Sequence, residues 1–182
     1  MPAPGPADAV GLPGPVDTAA FRTAMGRFGT GVTVVTCVQD AFDHGMTANS
    51  FTSVSLEPPL VLVCVEVDSR FHEAVLDAGT WNVNVLDDHQ RGRASWFATK
   101  GRPLVGQFDS TPTHRSRLTG ALLLDDALVT LECRTTDVHR AGDHDIVVGE
   151  VLALDVCRPE GRPLLYWSST FHTLGDQVAS KR

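Results

Sequence analysis

Gly45 to Ser55 reads G-M-T-A-N-S-F-T-S-V-S, a strand-forming run that carries small hydroxyl and amide side chains. Such a run is either the polar outer face of an ordinary strand or a groove for a polar, planar ligand. In a groove, hydroxyls and main-chain donors would satisfy ring nitrogens, carbonyl oxygens and a phosphate. A second candidate is Gly142-Asp143-His144-Asp145, a histidine in a turn between two carboxylates. It is either a turn stabilised by Asp side chains or a ring oriented by its neighbours for chemistry. Other chemistries lack their patterns. The seven histidines are scattered without H-E-x-x-H or H-x-H spacing, so no metal site is expected. There is no G-x-S-x-G elbow and no G-x-x-x-x-G-K-[ST] phosphate loop. The four cysteines, Cys37, Cys64, Cys133 and Cys157, form no C-x-x-C pair. They lie in strand-like apolar runs and are expected to be buried free thiols of a reducing compartment.

The elements that must position these residues follow from periodicity and punctuation. Asp17 is an expected N-cap for a helix to about Phe28, with Phe21, Met25 and Phe28 in one apolar stripe. Gly29 and Gly31 stop it, and Val32 to Val38 is rich in β-branched residues. Thr47 to Ser55 is expected to be extended. Leu60 to Val67 is apolar on both faces, as in a central strand, with Pro58 and Pro59 just ahead of it. Arg70 to Ala78 suits a short helix, and Thr80 to Leu86 alternates as a half-buried strand. Asp87 or Asp88 caps another short helix ending near Ala98, and Gly101 to Thr119 is loop-like. Ala127 to Val138 and Asp145 to Val156 flank the turn at residues 141–143 and predict a hairpin. Leu164 to Trp167 predicts a last short strand.

The chain has 182 residues, 42% of them hydrophobic and 20% charged, which suits one packed domain. Residues 1–16, rich in Pro, Gly and Ala, read as a flexible arm; 17–176 form the domain and 177–182 a C-terminal tail. A formal net charge of -7 argues against a nucleic-acid partner. No apolar run approaches the roughly 20 residues of a membrane span. The first residues lack the basic start and apolar core of an export signal, so a cytoplasmic, non-membrane location is expected.

Short strands separated by turns, with few helices, predict a mainly β fold: a closed or nearly closed antiparallel barrel. A doubly wound dinucleotide fold is rejected. Its glycines must follow a strand and open a helix, whereas Gly26, Gly29 and Gly31 follow a helix and precede a strand.

Four segments carry a family resemblance. Phe21 to Thr36 (F-R-T-A-M-G-R-F-G-T-G-V-T-V-V-T) resembles the opening of the flavin reductase-like proteins. His44 to Val65 (H-G-M-T-A-N-S-F-T-S-V-S-L-E-P-P-L-V-L-V-C-V) is similar to their central signature. Trp81 to Leu86 and Gly142 to Val151 (G-D-H-D-I-V-V-G-E-V) complete the pattern, over roughly Thr18 to Gly175. The resemblance implies a flavin-binding split β-barrel, commonly a homodimer, that uses NAD(P)H to reduce flavin for a partner monooxygenase. A carrier or sensor on the same barrel, without reductase activity, is the alternative.

Residue by residue, the resemblance assigns Asp43, His44, Gly45, Met46, Thr47, Asn49 and Ser50 to the isoalloxazine and ribityl chain. Cys64, Val65 and Glu66 flank the flavin, and Ser69, Arg70 and Phe71 hold its phosphate. Trp96 and Phe97 match a pair that is often Arg-Phe, and many relatives carry Thr or Ser where Phe71 stands. At Phe71 one phosphate hydroxyl is lost, and at Trp96 a charge that could serve a second phosphate, which favours FMN as the flavin over FAD. His144 matches the catalytic histidine beside the nicotinamide, and Tyr166, Trp167, Ser168 and Ser169 match the nicotinamide-side loop. NADH is expected as the reductant, NADPH being the other possibility. The reaction is a hydride transfer from nicotinamide C4 to flavin N5, which asks the protein for positioning and not for an acid or base.

Overall fold

A computed structural model describes residues 14–175. Most of the expected N-terminal arm and the whole of the 177–182 tail lie outside the described residues. Helix α1 (Thr18–Met25) starts where Asp17 Oδ2 accepts from the Ala20 amide at 2.8 Å. It stops at Gly26, short of the expected Phe28, and none of its residues is buried. Two further helices follow, α2 (Arg70–Ala78) and α3 (Arg91–Ala98). α2 keeps the expected bounds. Asp87 caps a 3₁₀ turn (Asp88–Gln90) by accepting from the His89 amide, and α3 follows that turn directly.

The strands are β1 (Thr30–Gly31), β2 (Thr33–Gln39), β3 (Phe42–Ala48), β4 (Thr52–Leu56), β5 (Pro59–Glu66) and β6 (Thr80–Val85). Then come β7 (Thr113–Arg115), β8 (Leu122–Leu124), β9 (Val129–Ala141), β10 (His144–Asp155), β11 (Leu165–Trp167) and β12 (Thr170–His172). Seven of them form an antiparallel sheet in the order β3-β2-β6-β9-β10-β5-β4. Its edge strands, β3 and β4, are consecutive in sequence and joined by residues 49–51 alone. A three-residue link spans only about 10–14 Å between the flanking residues, so the sheet must curl until its edges approach. The edges do not pair with each other, and the barrel is split there.

This split corrects the expectation of one extended run from Thr47 to Ser55. At the break, Ser50 Oγ accepts from the Cys64 amide at 3.2 Å and donates to the Cys64 carbonyl at 3.0 Å. A hydroxyl thus replaces the ladder bonds that a continuous strand would have made.

The middle of the sheet, at β2 and β6, is buried on both sides. Val35, Cys37, Val61, Val63, Val65, Trp81 and Val147 pack with Phe71, Ala74 and Val75 of α2 in one core. Val32, Val34, Leu86, Ala94, Phe97, Phe108 and Leu124 form a second. Alternate residues of β2 feed each core, as a strand's period requires. β6 is therefore not half-exposed as expected: residues 81–84 are all buried. Asn84 donates to the Val34 carbonyl at 3.0 Å and accepts from the Leu124 amide at 2.8 Å. Asn82 donates to the Ala121 carbonyl at 3.2 Å and accepts from Thr119 Oγ1 at 2.8 Å. The segment expected as loop, with β7 and β8, covers this polar face and its backbone satisfies the amides. β12 was not anticipated, and Cys157 is exposed beyond the end of β10, against the expectation of burial.

β9 and β10 form the expected hairpin. Gly142 takes φ +68°, a left-handed conformation that a side chain would strain. The Asp143 carbonyl of this turn accepts from the Val67 amide at 3.0 Å, which ties His144 to the end of β5.

Candidate active site

A cavity of about 510 Å³ opens between β3, the C-terminal end of β5, the start of α2 and the segment after α3. That size suits a nucleotide-sized ligand. A second cavity of about 460 Å³ lies beside it, and Thr47, Asn49, Ala98 and Thr99 line both. The two are compartments of one groove.

Of the residues named from sequence, His44, Gly45, Met46, Thr47, Asn49, Ser50, Cys64, Glu66, Ser69, Arg70, Phe71, Phe97 and His144 line the larger cavity. Tyr166 and Ser169 line the smaller. Five do not line either. Val65 points from β5 into the core, because its neighbours Cys64 and Glu66 take the cavity side. Asp43 pairs both carboxylate oxygens with Arg115 at 2.9 Å. Trp96, one step round α3 from Phe97, donates its indole N–H to the Gln107 carbonyl at 2.8 Å. Trp167 packs edge-on against His172 and donates to the Arg27 carbonyl at 3.2 Å. Ser168 donates its amide to the Gly26 carbonyl at 2.7 Å.

Sequence reasoning missed Asp68, Thr99, Lys100 and Arg102, all of which line the larger cavity. The local signal was the basic Lys100-Gly101-Arg102 triplet directly after α3. Nothing local says that it folds back over β3.

Gly45 gives the cavity its floor. A Cβ there would stand 2.8–2.9 Å from the rings of Phe108 and Phe97, so only glycine lets both aromatics pack on β3. Arg102 bridges across this point. Its guanidinium donates to the Gly45 carbonyl, to the Thr99 carbonyl at 2.9 Å and to Gln107 Oε1 at 3.1 Å. Gln107 in turn donates to the Asp43 carbonyl at 2.6 Å, so the segment after α3 is fastened to β3.

At the other wall Ser69 caps α2, its hydroxyl oxygen accepting from the His72 amide at 3.3 Å while its proton stays available. Arg70 sits in the first helical turn and donates to the Arg102 carbonyl at 3.2 Å. Among the described residues neither Arg70 nor Arg102 has a carboxylate partner. Burial, and then the nearby Arg70 charge, lower the pKa of Arg102. Arg70 at the N-terminus of α2, with the positive charge of Arg102 behind it, makes this wall an anion site. The same surroundings act on His44, where burial first and Arg70 second lower the pKa and favour the neutral ring. Thr47 and Ser50 have spent their hydroxyl protons on the carbonyls of Ala94 and Cys64, and so meet a ligand as acceptors.

His144 lines the same cavity opposite Glu66 in the β10–β5 register. Its Nδ1 lies 2.8 Å from Asp143 Oδ1, a contact that lowers the Asp143 pKa and orients the ring with Nε2 free for a ligand.

The chain matches the family model of the flavin reductase like domain over residues 25–175. It is 43% identical over 157 residues to an NADH:riboflavin 5'-phosphate oxidoreductase of Streptomyces pristinaespiralis, covering 85% of this chain and 86% of that one. Among solved structures it is similar to the NADH:FAD oxidoreductase SgcE6 of Streptomyces globisporus C-1027 in complex with NAD and FAD fragments. The TM-score is 0.84 at 37% identity, covering 90% of this chain and 96% of that one. It is also similar to BorF, the flavin reductase component of a bacterial two-component tryptophan halogenase. There the TM-score is 0.82 at 42% identity, over 88% of this chain and all of that one. With this agreement of sequence, architecture and cavity, the chain belongs to the flavin reductase-like family.

Proposed function

We propose that this chain is an NADH-dependent flavin reductase whose larger cavity takes FMN or FAD and whose product is reduced flavin for a partner monooxygenase. The observation that carries the reading is the anion site at Ser69 and Arg70, opening into a cavity that His144 also lines. Arg70, without a carboxylate partner among the described residues, fits the flavin phosphate, and the size of the cavity fits a planar ring system beyond it.

Ser69 and Arg70 hold the phosphate, Ser69 by its free hydroxyl proton and Arg70 by its charge. The β3 segment from His44 to Thr47, with Asn49 and Ser50, lies along the ring and ribityl chain. Phe71 and Phe97 exclude water, and Cys64 and Glu66 close the β5 side. When bound, the flavin supplies at N5 the acceptor for the hydride of nicotinamide C4. The protein needs no proton donor for that step, only a fixed approach. His144, steadied by Asp143, positions the nicotinamide. Tyr166 and Ser169 border the adjoining compartment, and Trp167 and Ser168 hold their hairpin against residues 26 and 27.

Residues 17–176 constitute the reductase unit. The chain works as a homodimer, supported by the outward apolar stripe of α1, where Phe21 and Met25 remain exposed. Its location is cytoplasmic, and none of the described helices is long and apolar enough to cross a membrane.

Mixing the purified chain with NADH and either flavin, and following nicotinamide absorbance, tests the activity. Oxidation that requires added flavin supports a reductase. Flavin binding without NADH oxidation would make the protein a carrier.

A further inference from the structure

We propose that Lys100 is the residue that admits a dinucleotide flavin: it exchanges Glu66 for the second phosphate of FAD, beside the first phosphate at Ser69 and Arg70. The inference rests on the flavin-reductase reading and deepens it. Three long basic side chains line the larger cavity, Arg70, Lys100 and Arg102. Arg102 is committed, because its guanidinium holds the carbonyls of Gly45 and Thr99 and the amide oxygen of Gln107. Arg70 serves the phosphate that both flavins share.

Lys100 differs from both. Its Nζ lies 3.0 and 2.8 Å from the two carboxylate oxygens of Glu66, yet the lysine side chain is 83% exposed and that of Glu66 40%. Solvent-exposed ammonium–carboxylate pairs contribute little to stability and exchange partners readily. Glu66, once released, stays solvated. The segment bearing Lys100 rests on Arg70 through the Arg102 carbonyl, so the free ammonium belongs to the wall next to the first phosphate.

Charge distribution then separates the two ligands. A phosphate monoester such as FMN carries about −1.5 to −2 charges on one group. The pyrophosphate of FAD spreads its charge over two groups and needs a cation at each. Trp96 has no part in this, since it lies outside the cavity. Asp68 and Glu66 are the carboxylates of the same wall, and they disfavour a second phosphate unless a cation stands between.

Fluorescence titration of the purified flavin-free chain with FMN and with FAD tests this. For Lys100→Met the FAD dissociation constant should rise about tenfold, equivalent to about 1.4 kcal/mol, while that for FMN stays within about twofold. Lys100→Arg should recover most of the FAD affinity, and the wild-type FAD constant should rise more steeply with salt than that of Lys100→Met. Equal weakening of both flavins, or no change in either, in a variant whose melting temperature matches wild type, would overturn the proposal. A wild-type chain that binds neither flavin would instead refute the reductase reading, and this inference with it.

Discussion

Two histidine–aspartate pairs meet at the β9–β10 hairpin, and burial makes them different devices. His144 Nδ1 stands 2.8 Å from Asp143, with side chains 42% and 92% exposed. His72 Nε2 stands 2.7 Å from Asp145, with side chains 14% and 8% exposed. The carboxylates are two residues apart, Asp143 in the turn and Asp145 on β10, and the distances are nearly equal. Solvent screens the first pair, so it orients a ring and adds little stability. The second fastens α2 to β10 where water cannot replace a lost partner. Arg140 Nε lies 3.3 Å from Asp145 Oδ1 but out of line for a hydrogen bond, so that oxygen is without a hydrogen-bond partner among the described residues. One hairpin thus presents a cavity-lining ring on one side and a structural clamp on the other.

The comparison breaks first at Asp145. Asp145→Ala should cost about 1–3 kcal/mol in stability, because His72 loses its partner in a site with little water. Urea unfolding measures this, and a loss below the scatter of surface substitutions would show that the pair is not a clamp.

Next comes His144→Ala, expected to lower kcat/KM for NADH about ten- to thirtyfold, or about 1–2 kcal/mol of transition-state positioning. Flavin affinity should stay within about twofold and the melting temperature should hold. Stopped-flow reduction of bound flavin beside a thermal melt separates this from a hairpin defect. Unchanged kinetics in a folded variant would remove His144 from the site.

Asp143→Asn should act in the same direction but more weakly, about two- to fivefold on kcat/KM for NADH, since an amide still accepts from the imidazole. An effect as large as that of His144→Ala would mean that the carboxylate charge, and not ring orientation, is what matters.

The smallest expected effect belongs to His44. Its folded pKa lies below the ordinary histidine value of 6.5 through burial and then the Arg70 charge. Below 6.5 the unfolded chain therefore binds a proton before the native one does, and stability falls with pH until the depressed pKa is passed. Above 6.5 this contribution is fully present. Thermal melts across a pH series should show a shallower acid decline for His44→Asn than for wild type. Parallel curves would place the acid sensitivity elsewhere.

Much of this organisation is legible in the residues themselves. Arg70 to Ala78 falls on its expected bounds as α2, and the structure shows Ser69 capping it and Gly79 at φ +63° stopping it. Gly142 marks the hairpin for the same local reason. The failures share a different cause. Asn82 and Asn84 read as an outward polar face because their partners, Thr119, Ala121 and Leu124, lie about forty positions downstream. Trp96 enters the site with Phe97 through the family pair, and a pair of adjacent residues does not tell which way each helical side chain points. Lys100 and Arg102 were passed over because their partners Glu66 and Gly45 come from strands that precede them by 34 and 57 residues.

By itself, then, the sequence determined what depends on neighbours along the chain. Strand and helix runs, the glycine turn, the carboxylates flanking His144 and the motif order that marks the family are of this kind. Which groups share a cavity follows from the fold. The curl of the sheet brings residues 99–102 over β3 and turns Arg70 and Arg102 toward one another. It leaves one aspartate of the hairpin in solvent and buries the other. The physical reason is that charge pairing and burial depend on distance through space, and strand pairing joins positions that no local spacing relates.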